Sequence, residues 1–335
     1  SIMQLPKSNI PTTPLVSILV PCYNAAPWLN ETLESALAQT YQNTEILLVD
    51  DGSTDSSLSI ARSFEPRGVR VFTQLNSGAA AARNHALRHA QGDFIQYLDA
   101  DDLLAPEKIS QQLLRLYQDN KKAVLTGCWG RFSESIANTV FHSTNPLFHD
   151  LSPTRYLCAY ASEDCMMHPA AWLIPRDVVQ AAGTWNEKLS LNDDGEYFTR
   201  IVLQAERVLY CPNALSYYRS GLNQSLSNQR SSRHLESAYL ALQLIVEHLL
   251  NYQNDPLTRQ AAANLCQRFA YDYYPARPDL VNQALQQGKK LGGSKLRPLG
   301  GSSFHFVSHL LGWKMARWLQ ARTGKFPHAS EVLIN

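Results

Sequence analysis

A segment typical of a buried strand runs directly into a cluster of carboxylates, and it reads Asp93-Phe94-Ile95-Gln96-Tyr97-Leu98-Asp99-Ala100-Asp101-Asp102. The aromatic and β-branched content of residues 93–98 predicts a strand. In an open α/β sheet, ligands bind at the carboxyl ends of the strands, which is where the carboxylates fall. Asp99 and Asp101 are two residues apart, so in an extended segment they point to the same side and can hold one ion.

Two interpretations of this acidic run are open from the run alone. As a metal site it suits Mg²⁺ or Mn²⁺, which take one or two carboxylates and complete their shell with water and phosphate oxygens. As a structural feature it is a solvated turn, in which Asp102 caps the next helix and Pro106 and Glu107 lie in the first helical turn. The motif by itself does not separate the two.

Strand and helix patterns alternate from the amino terminus to this segment. The predicted strands are Leu15–Val20, Thr44–Val49, Val69–Thr73 and Phe94–Leu98, and the predicted helices are Trp28–Gln39, Ser56–Phe64 and Ser77–Ala90. Such alternation predicts an α/β fold with a Rossmann-like, mostly parallel sheet flanked by helices.

The rest of the chain divides by pattern into two parts. Residues 103–227 are mixed, with strand-like pieces at Ala123–Cys128, Ala170–Ile174 and Arg207–Tyr210 and a helix-like piece at Glu196–Gln204. Beyond a Ser/Asn/Gln-rich stretch, helical patterns continue to about Arg322. We therefore predict an amino-terminal extension (1–14), an α/β domain (15–227, with halves 15–102 and 103–227) and a carboxyl-terminal helical appendage (228–335).

Composition excludes several classes of protein. The 335 residues carry a formal charge of +1, which gives no electrostatic case for nucleic acid binding. Six scattered cysteines show no zinc spacing and favour a reduced, cytoplasmic setting, and no apolar run approaches the length of a membrane span. The turn at residues 21–27 lacks both the dinucleotide-binding and the P-loop glycine patterns. We therefore expect neither a dehydrogenase nor a P-loop phosphotransferase.

Four segments in order resemble the sugar-nucleotide domain of family 2 glycosyltransferases. They read VSILVPCYN (16–24), ILLVDDGSTD (46–55), NSGAAAARNHA (76–86) and DFIQYLDADD (93–102), and AAGTWNEKLSLNDDGEYFTRI (181–201) follows them. Each fragment is weak alone, but the order over roughly 200 residues is specific. The resemblance implies a GT-A fold and a hexosyltransferase that inverts the anomeric carbon. It also implies a nucleoside diphosphate-sugar donor, most simply a UDP-sugar, and Mn²⁺ or Mg²⁺ as cofactor.

The resemblance also assigns donor-site roles. Asp50 or Asp51 would accept hydrogen bonds from the base, and we favour Asp50 because Asp51 can form the turn itself. Asp101 would bind the metal and Asp99 would contact the ribose or share the metal, with Asp102 a weaker third candidate. The remaining implied donor contacts are Pro21, Tyr23 and Asn24 at the base, Asn76, Gly78 and Arg83 at the diphosphate, Ala100 within the acidic run, and Arg219 as a further diphosphate contact. Arg83 and Arg219 could instead be solvated.

The catalytic base is implied by the acidic pair Asp193-Asp194 before an aromatic helix, and we favour Asp194. Asp193 replaces a more usual Glu, and both residues could simply favour a helix amino terminus. Where many relatives carry a metal-binding histidine after an arginine, the sequence Arg219-Ser220-Gly221 has none. The third protein ligand is therefore open.

The acceptor side and the tail carry weaker signals. Trp185, His168 and Asp193 are candidate acceptor contacts, whereas Trp172 is expected in the core. Residues 303–322 resemble a basic interfacial helix that would make a peripheral contact at the inner face of the membrane, or would pack on the protein itself. We predict transfer to a saccharide or lipid-linked acceptor in polysaccharide or glycoconjugate synthesis. The alternative is a catalytically silent sugar-nucleotide or carbohydrate binder, and the oligomeric state is open.

Overall fold

The computed structural model describes residues 13–119, 122–141, 144–162, 165–221 and 231–323. Its strands are β1 (Val16–Cys22), β2 (Thr44–Asp50), β3 (Arg70–Thr73), β4 (Phe94–Tyr97), β5 (Leu103–Leu104), β6 (Ala123–Phe132), β7 (Val140–Phe141), β8 (Ile174–Pro175) and β9 (Arg207–Arg219). Its helices are α1 (Leu29–Leu37), α2 (Ser57–Ser63), α3 (Ala79–His89), α4 (Lys108–Asp119), α5 (Pro153–Ser162), α6 (Arg176–Ala182), α7 (Asp193–Gln204), α8 (Ser232–Tyr252), α9 (Pro256–Tyr273), α10 (Pro278–Lys290), α11 (Ser302–Leu311) and α12 (Trp313–Thr323).

A five-stranded sheet among these residues has the order β3-β2-β1-β4-β8. The first four strands run parallel and β8 pairs antiparallel with β4. Cys22 lies opposite Asp50 and Leu19 opposite Tyr97, so β1, β2 and β4 end at one edge of the sheet. The α/β prediction is confirmed, and the loops that carry the predicted site residues leave this shared edge.

A second, four-stranded sheet has the order β5-β9-β6-β7. Strands β6 and β9 pair in parallel, and their register shifts beside Gly127, where an added Cβ would lie 2.1 Å from the carbonyl oxygen of Ala214. The predicted strand at Ala170–Ile174 is wrong, because Pro169–Ala171 forms a 3₁₀ turn and only Ile174–Pro175 pairs as a strand. A proline at the first position suits that turn because its missing N–H would be unpaired there.

The chain divides into two compact units. The first comprises residues 1–160 and 165–228, and the second comprises 161–164 and 229–335. The second unit is helical, and α9 begins with a capping box in which Asp255 and Thr258 bond each other's backbone N–H groups. Within the part of the chain that the structure describes, no helix combines the length and the apolar composition needed to cross a bilayer.

The tail differs from the single helical stripe predicted over residues 303–322. It forms two helices, α11 and α12, which are broken at Gly312, whose φ of +82° is strained for other residues. Phe304 and Arg317 within this segment are buried. Gly312 ends α11, and α12 begins at the next residue, Trp313.

Candidate active site

The predicted cap role of Asp102 is wrong. Helix α4 begins only at Lys108, and Asp102 is buried. Its Oδ1 accepts the backbone N–H of Arg219 at 2.9 Å, and its Oδ2 lies 3.3 Å from Nδ1 of His168. Asp102 therefore ties the turn after β4 to the end of β9, and it has no oxygen aimed at solvent for a metal.

Asp101, two residues beyond Asp99, is a carboxylate with little compensation. Burial is the largest cause that raises the pKa of Asp101 to about 8, and the like charges of Asp102 and Asp99 raise it further. The guanidinium of Arg219 opposes this only weakly, since its Nε donates to the backbone carbonyl of Asp101 at 2.9 Å. A divalent cation would supply the missing positive charge.

Arg83 joins the two acidic clusters that the sequence places more than 90 residues apart. Its NH2 donates to Oδ1 of Asp99 at 2.8 Å and its NH1 donates to Oδ2 of Asp193 at 3.1 Å. The guanidinium is buried and lies 4.3 Å from the ring centroid of Trp185. The idea that Arg83 is a solvated helix residue is therefore wrong, because α3 points it inwards between two carboxylates.

Asp194 lies beside this bridge at the start of α7. Its Oδ1 accepts the N–H of Gly195 at 2.9 Å, and the residue as a whole is partly exposed. Burial and then the neighbouring Asp193 raise the pKa of Asp194 to about 6, while Arg83 opposes the shift. A group with this pKa is largely ionised at neutral pH and is well placed on the pH scale to accept a proton.

An aromatic layer supports the acidic pair from behind. Trp185 stacks on Tyr197 with ring centroids 4.0 Å apart, and the hydroxyls of Tyr97 and Tyr197 lie 2.9 Å from each other. Because Tyr97 ends β4 and Tyr197 lies on α7, this layer fixes the start of α7 against the edge of the sheet. It also supplies the low-polarity surroundings that raise carboxyl pKa values.

Asp51 organises the loop that enters α3. Its Oδ1 accepts the N–H of Ser77 and the amide of Gln74, each at 2.8 Å, and its Oδ2 accepts the N–H of Gly78 at 2.9 Å. These bonds hold the loop at residues 74–78 and leave Asp51 little capacity for a ligand. Asn76 extends this contact, since its amide donates to the Asp51 carbonyl at 3.1 Å.

Asp50, unlike Asp51, has a carboxylate oxygen that is available to a ligand. Its Oδ2 accepts the N–H of Ser53 at 3.1 Å, but its buried Oδ1 has no hydrogen-bond partner among the described residues. A buried acceptor without a partner costs free energy unless a ligand supplies a donor. The geometry therefore agrees with the choice of Asp50 over Asp51 as a base contact.

The other predicted donor contacts line the same edge in different ways. Tyr23 is half exposed, whereas Pro21 is buried within β1. Asn24 has a φ of +47° and its Oδ1 accepts the N–H of Thr54 at 2.8 Å, which joins the loops after β1 and β2. Ala100 is buried, and its carbonyl accepts the hydroxyl of Thr32 at 2.9 Å.

Arg219 is neither exposed nor free for a diphosphate. Its NH2 pairs with Glu31 at 2.7 Å and its NH1 donates to the Ser133 carbonyl at 3.2 Å, while the guanidinium lies 4.4 Å from the ring centroid of Phe132. With Nε on the Asp101 carbonyl, every guanidinium nitrogen is engaged. The structure therefore shows that Arg219 supports the acidic turn after β4. The prediction that Arg219 contacts the diphosphate is wrong.

Two of the predicted acceptor contacts also lie too deep for that role. His168 and Trp185 are 0% and 1% exposed, so neither ring has surface to offer a sugar. His168 Nε2 lies 2.8 Å from the Ser216 hydroxyl, and burial lowers the pKa of His168 to about 3. The third candidate, Asp193, is held by Arg83 and is partly exposed.

Sequence reasoning overlooked Asn84 and Glu31. Asn84 accepts the backbone N–H of Trp185 and donates to the carbonyl of Trp185, both at 2.9 Å, and so fastens the segment before α7 to α3. Its position beside Arg83 in the third matched segment is the signal that could have found it. Glu31 carries no such signal, because its pairing with Arg219 joins helix α1 to the end of β9, far apart in sequence.

Asp99 and Asp101 fit a divalent cation only in part. Among the described residues, no group of three or more His, Cys, Asp or Glu side chains could hold a metal ion. Two carboxylates that leave the remaining positions to water and phosphate oxygens suit Mg²⁺ or Mn²⁺. The raised pKa of Asp101 is the observation that favours a cation here.

Comparison with known proteins identifies the family. The model of glycosyl transferase family 2 matches residues 17–182. Glycosyltransferase GlyG of Streptococcus pneumoniae is 33% identical over 214 residues, which are 61% of this chain and 70% of GlyG. The chain belongs to glycosyltransferase family 2. Two further curated glycosyltransferases, from Haemophilus influenzae and Rickettsia typhi, are 47% and 31% identical, and the chain spans 44% and 57% of their lengths.

Solved structures share the fold. TarS of S. aureus (residues 1–349, in complex with UDP-GlcNAc) superposes with a TM-score of 0.70 at 19% identity and covers 92% of each chain. The mannosyltransferase PcManGT of Pyrobaculum calidifontis, in complex with GDP-Man and Mn²⁺, gives a TM-score of 0.55 at 19% identity over 98% of this chain and 84% of that one. The GT-A fold is thus confirmed.

Proposed function

We propose that the protein transfers a sugar, with inversion, from a UDP-sugar to a saccharide or lipid-linked acceptor in polysaccharide or glycoconjugate synthesis. The observation that carries the proposal is the Arg83 bridge, which sets the carboxylates of the donor edge beside the acidic pair on α7. A donor site and a base must be adjacent for single displacement. We assign the transferase domain to residues 15–227, with the donor half at 15–102 and the acceptor half at 103–227.

Donor recognition is proposed at the edge formed by the ends of β1 and β2. The buried Oδ1 of Asp50 would accept the imide N–H of a uracil ring, and the exposed Tyr23 would lie against the base. The complex of TarS with UDP-GlcNAc supports a uridine donor for the shared fold. Asn76 and Gly78 would face the diphosphate from the loop that Asp51 holds.

Asp101 and Asp99 are the proposed holders of Mn²⁺ or Mg²⁺. The ion would neutralise the diphosphate leaving group as a Lewis acid. Burial and the like charges of Asp102 and Asp99 disfavour the ionised form of Asp101, which a cation would stabilise, while Asp99 keeps one oxygen on Arg83. The Mn²⁺ in PcManGT supports a metal for this fold.

Asp194 is the proposed base. Its carboxylate takes the proton of the acceptor hydroxyl while that oxygen attacks the anomeric carbon and the bond from this carbon to the diphosphate oxygen breaks. Arg83 acts as a positioning residue, because it holds Asp193 next to Asp194 and keeps the pKa of Asp194 from rising further. One displacement on the face opposite the leaving group gives inversion, as the family resemblance implies.

Two substitutions test these roles against the alternative of a silent binder. Donor binding and transfer are measured with UDP-, GDP- and dTDP-sugars and Mn²⁺. Asp101→Asn should lose metal-dependent donor binding, whereas Asp194→Asn should bind donor normally and lose transfer by at least about a hundredfold. Glu107→Gln, an exposed carboxyl just before α4, is the matched control and should change neither.

The results decide between a transferase with Asp194 as its base and a silent binder. Transfer that persists in Asp194→Asn refutes the base assignment. Donor binding without transfer in the unmodified protein, across saccharide and lipid-linked acceptors, would favour the silent binder.

A further inference from the structure

The hairpin of α11 and α12 has a defined inner face. Phe304 is 1% exposed, and the guanidinium of Arg317 lies 4.4 Å from its ring centroid and donates to the Leu299 carbonyl at 2.7 Å. The rings of Trp313 and of Tyr271 on α9 pack at nearly right angles, with centroids 4.8 Å apart. These contacts fix the hairpin within the helical unit and decide which side chains remain outside.

The outer side chains of the hairpin are large and apolar. They are Phe306, Leu310, Leu311, Met315 and Trp318, with exposures of 67%, 62%, 64%, 44% and 36%. Phe306 and Leu310 are one turn apart on α11, and Met315 and Trp318 are one turn apart on α12, so each pair shares a face of its helix. Clustered exposure of this kind marks an interaction surface.

The charge around these residues has one sign. Residues 280–323 contain seven Lys and Arg residues and no Asp or Glu, although the whole chain has a formal charge of only +1. Lys314 and Arg322 on α12 are exposed, and the guanidinium of Arg322 lies 4.3 Å from the ring centroid of Trp318. Lys289, Lys290, Lys295 and Arg297 are exposed in the segment that precedes the hairpin. The rest of the chain is net acidic, so the positive charge is concentrated at this end.

We propose that the α11–α12 hairpin binds the surface of an anionic lipid bilayer. Its outer Phe, Leu, Met and Trp side chains enter the boundary between headgroups and acyl chains, and the surrounding cations contact the anionic headgroups. Trp at such a boundary keeps its ring in an apolar setting and its N–H near water. This inference is independent of the transfer reaction.

A second copy of the chain fits this surface less well. Apposing two hairpins would bring two basic segments together without a carboxylate in either, and like charges at an interface oppose binding. A lipid surface supplies the negative charge and the apolar layer together. Both helices are shorter than a membrane span, so the hairpin would lie in the plane of the interface.

The test is partition of the full chain to vesicles of phosphatidylcholine alone or with about one third phosphatidylglycerol, followed by flotation. The unmodified protein should float with the anionic vesicles, and partition should fall at least tenfold in Phe306→Ser/Leu310→Ser. Leu114→Ser, at a comparably exposed apolar residue on α4, should partition like the unmodified protein. Lys314→Gln/Arg322→Gln should weaken binding to anionic vesicles, whereas Arg62→Gln/Arg88→Gln, which removes exposed charges elsewhere, should not.

Tryptophan fluorescence tests whether Trp318 enters the bilayer. Brominated lipid should quench tryptophan fluorescence in the unmodified protein and less so in Trp318→Phe. Equal partition of the unmodified protein and the Phe306→Ser/Leu310→Ser variant, equal binding to both vesicle types, or no flotation overturns the proposal. A concentration-dependent dimer that this double substitution abolishes, without vesicle binding, would instead assign the surface to self-association.

Discussion

Replacing Arg83 with methionine tests the connection between the two acidic clusters. The substitution keeps an apolar stem against Trp185 but leaves Asp99 and Asp193 without their shared cation. Removing one partner of a buried ion pair costs about 3–5 kcal/mol. The carboxyl side chains keep exposures of 28% and 18%, so water recovers part of this loss. We expect the free energy of unfolding to fall by about 2–3 kcal/mol.

The same substitution should change catalysis in a defined direction. Arg83 lowers the pKa of Asp194 against the raising effects of burial and Asp193. Without Arg83, the pKa of Asp194 rises above about 6, a smaller fraction is ionised at neutral pH, and the pH midpoint of transfer moves upward. Arg83→Lys should recover only part of both effects, because one ammonium cannot form two separate guanidinium contacts.

Urea unfolding followed by tryptophan fluorescence and pH profiles of kcat provide the measurements. In a double-mutant cycle, Arg83→Met and Asp193→Asn should couple by about 1 kcal/mol or more, since the second change removes the charge that the first leaves unpaired. Arg67→Met, which breaks an exposed pair with Glu34, is the control and should leave the unfolding curve unchanged. Additive effects of the two substitutions, together with an unchanged pH midpoint, would refute this reasoning.

Three further predictions follow from the same geometry. In the unmodified protein kcat should rise with pH through a midpoint near 6, because protonated Asp194 cannot accept a proton, and a flat profile from pH 5 to 8 would contradict this. Asp51→Ala removes the acceptor of three loop bonds, so calorimetry should show donor affinity weakened about tenfold or more, with unchanged affinity as the contrary result. Gly127→Ala should lower the free energy of unfolding by about 2–3 kcal/mol through its clash with Ala214, whereas Gly301→Ala, with open space around it, should not.

The local hydrophobic pattern of the sequence was sufficient to predict the strands and helices of the donor half. Hydrophobic periodicity placed β1, β2, β3 and β4 and the helices between them within about two residues of their observed bounds. Parallel pairing then follows from the alternation, and so does the meeting of Tyr23, Asp50 and Asp99 at one edge. These features depend on neighbours in sequence, which a single chain displays.

The acceptor half was harder because its pairings are long-range. Strand β9 pairs with β6 across more than 80 residues, and its last residue, Arg219, ends in contact with the acidic turn. Hydrophobic periodicity contains no information about such contacts. For this reason the sequence predicted a diphosphate contact for Arg219 and a helix cap for Asp102, and both predictions are wrong. His168 and Trp185 looked available for a sugar only because burial is decided by packing between distant elements.

The sequence by itself determined the fold class, the family and the order of the acidic residues along the chain. Only the tertiary structure decided which of those acidic residues are paired and which is left without a compensating charge, because charge compensation depends on distance in space. Arg83 neutralises Asp99 and Asp193, Arg219 and His168 engage Asp102, and Asp101 remains with a pKa raised to about 8. The difference between a structural carboxylate and one that awaits a cation is therefore set by its neighbours in the folded chain.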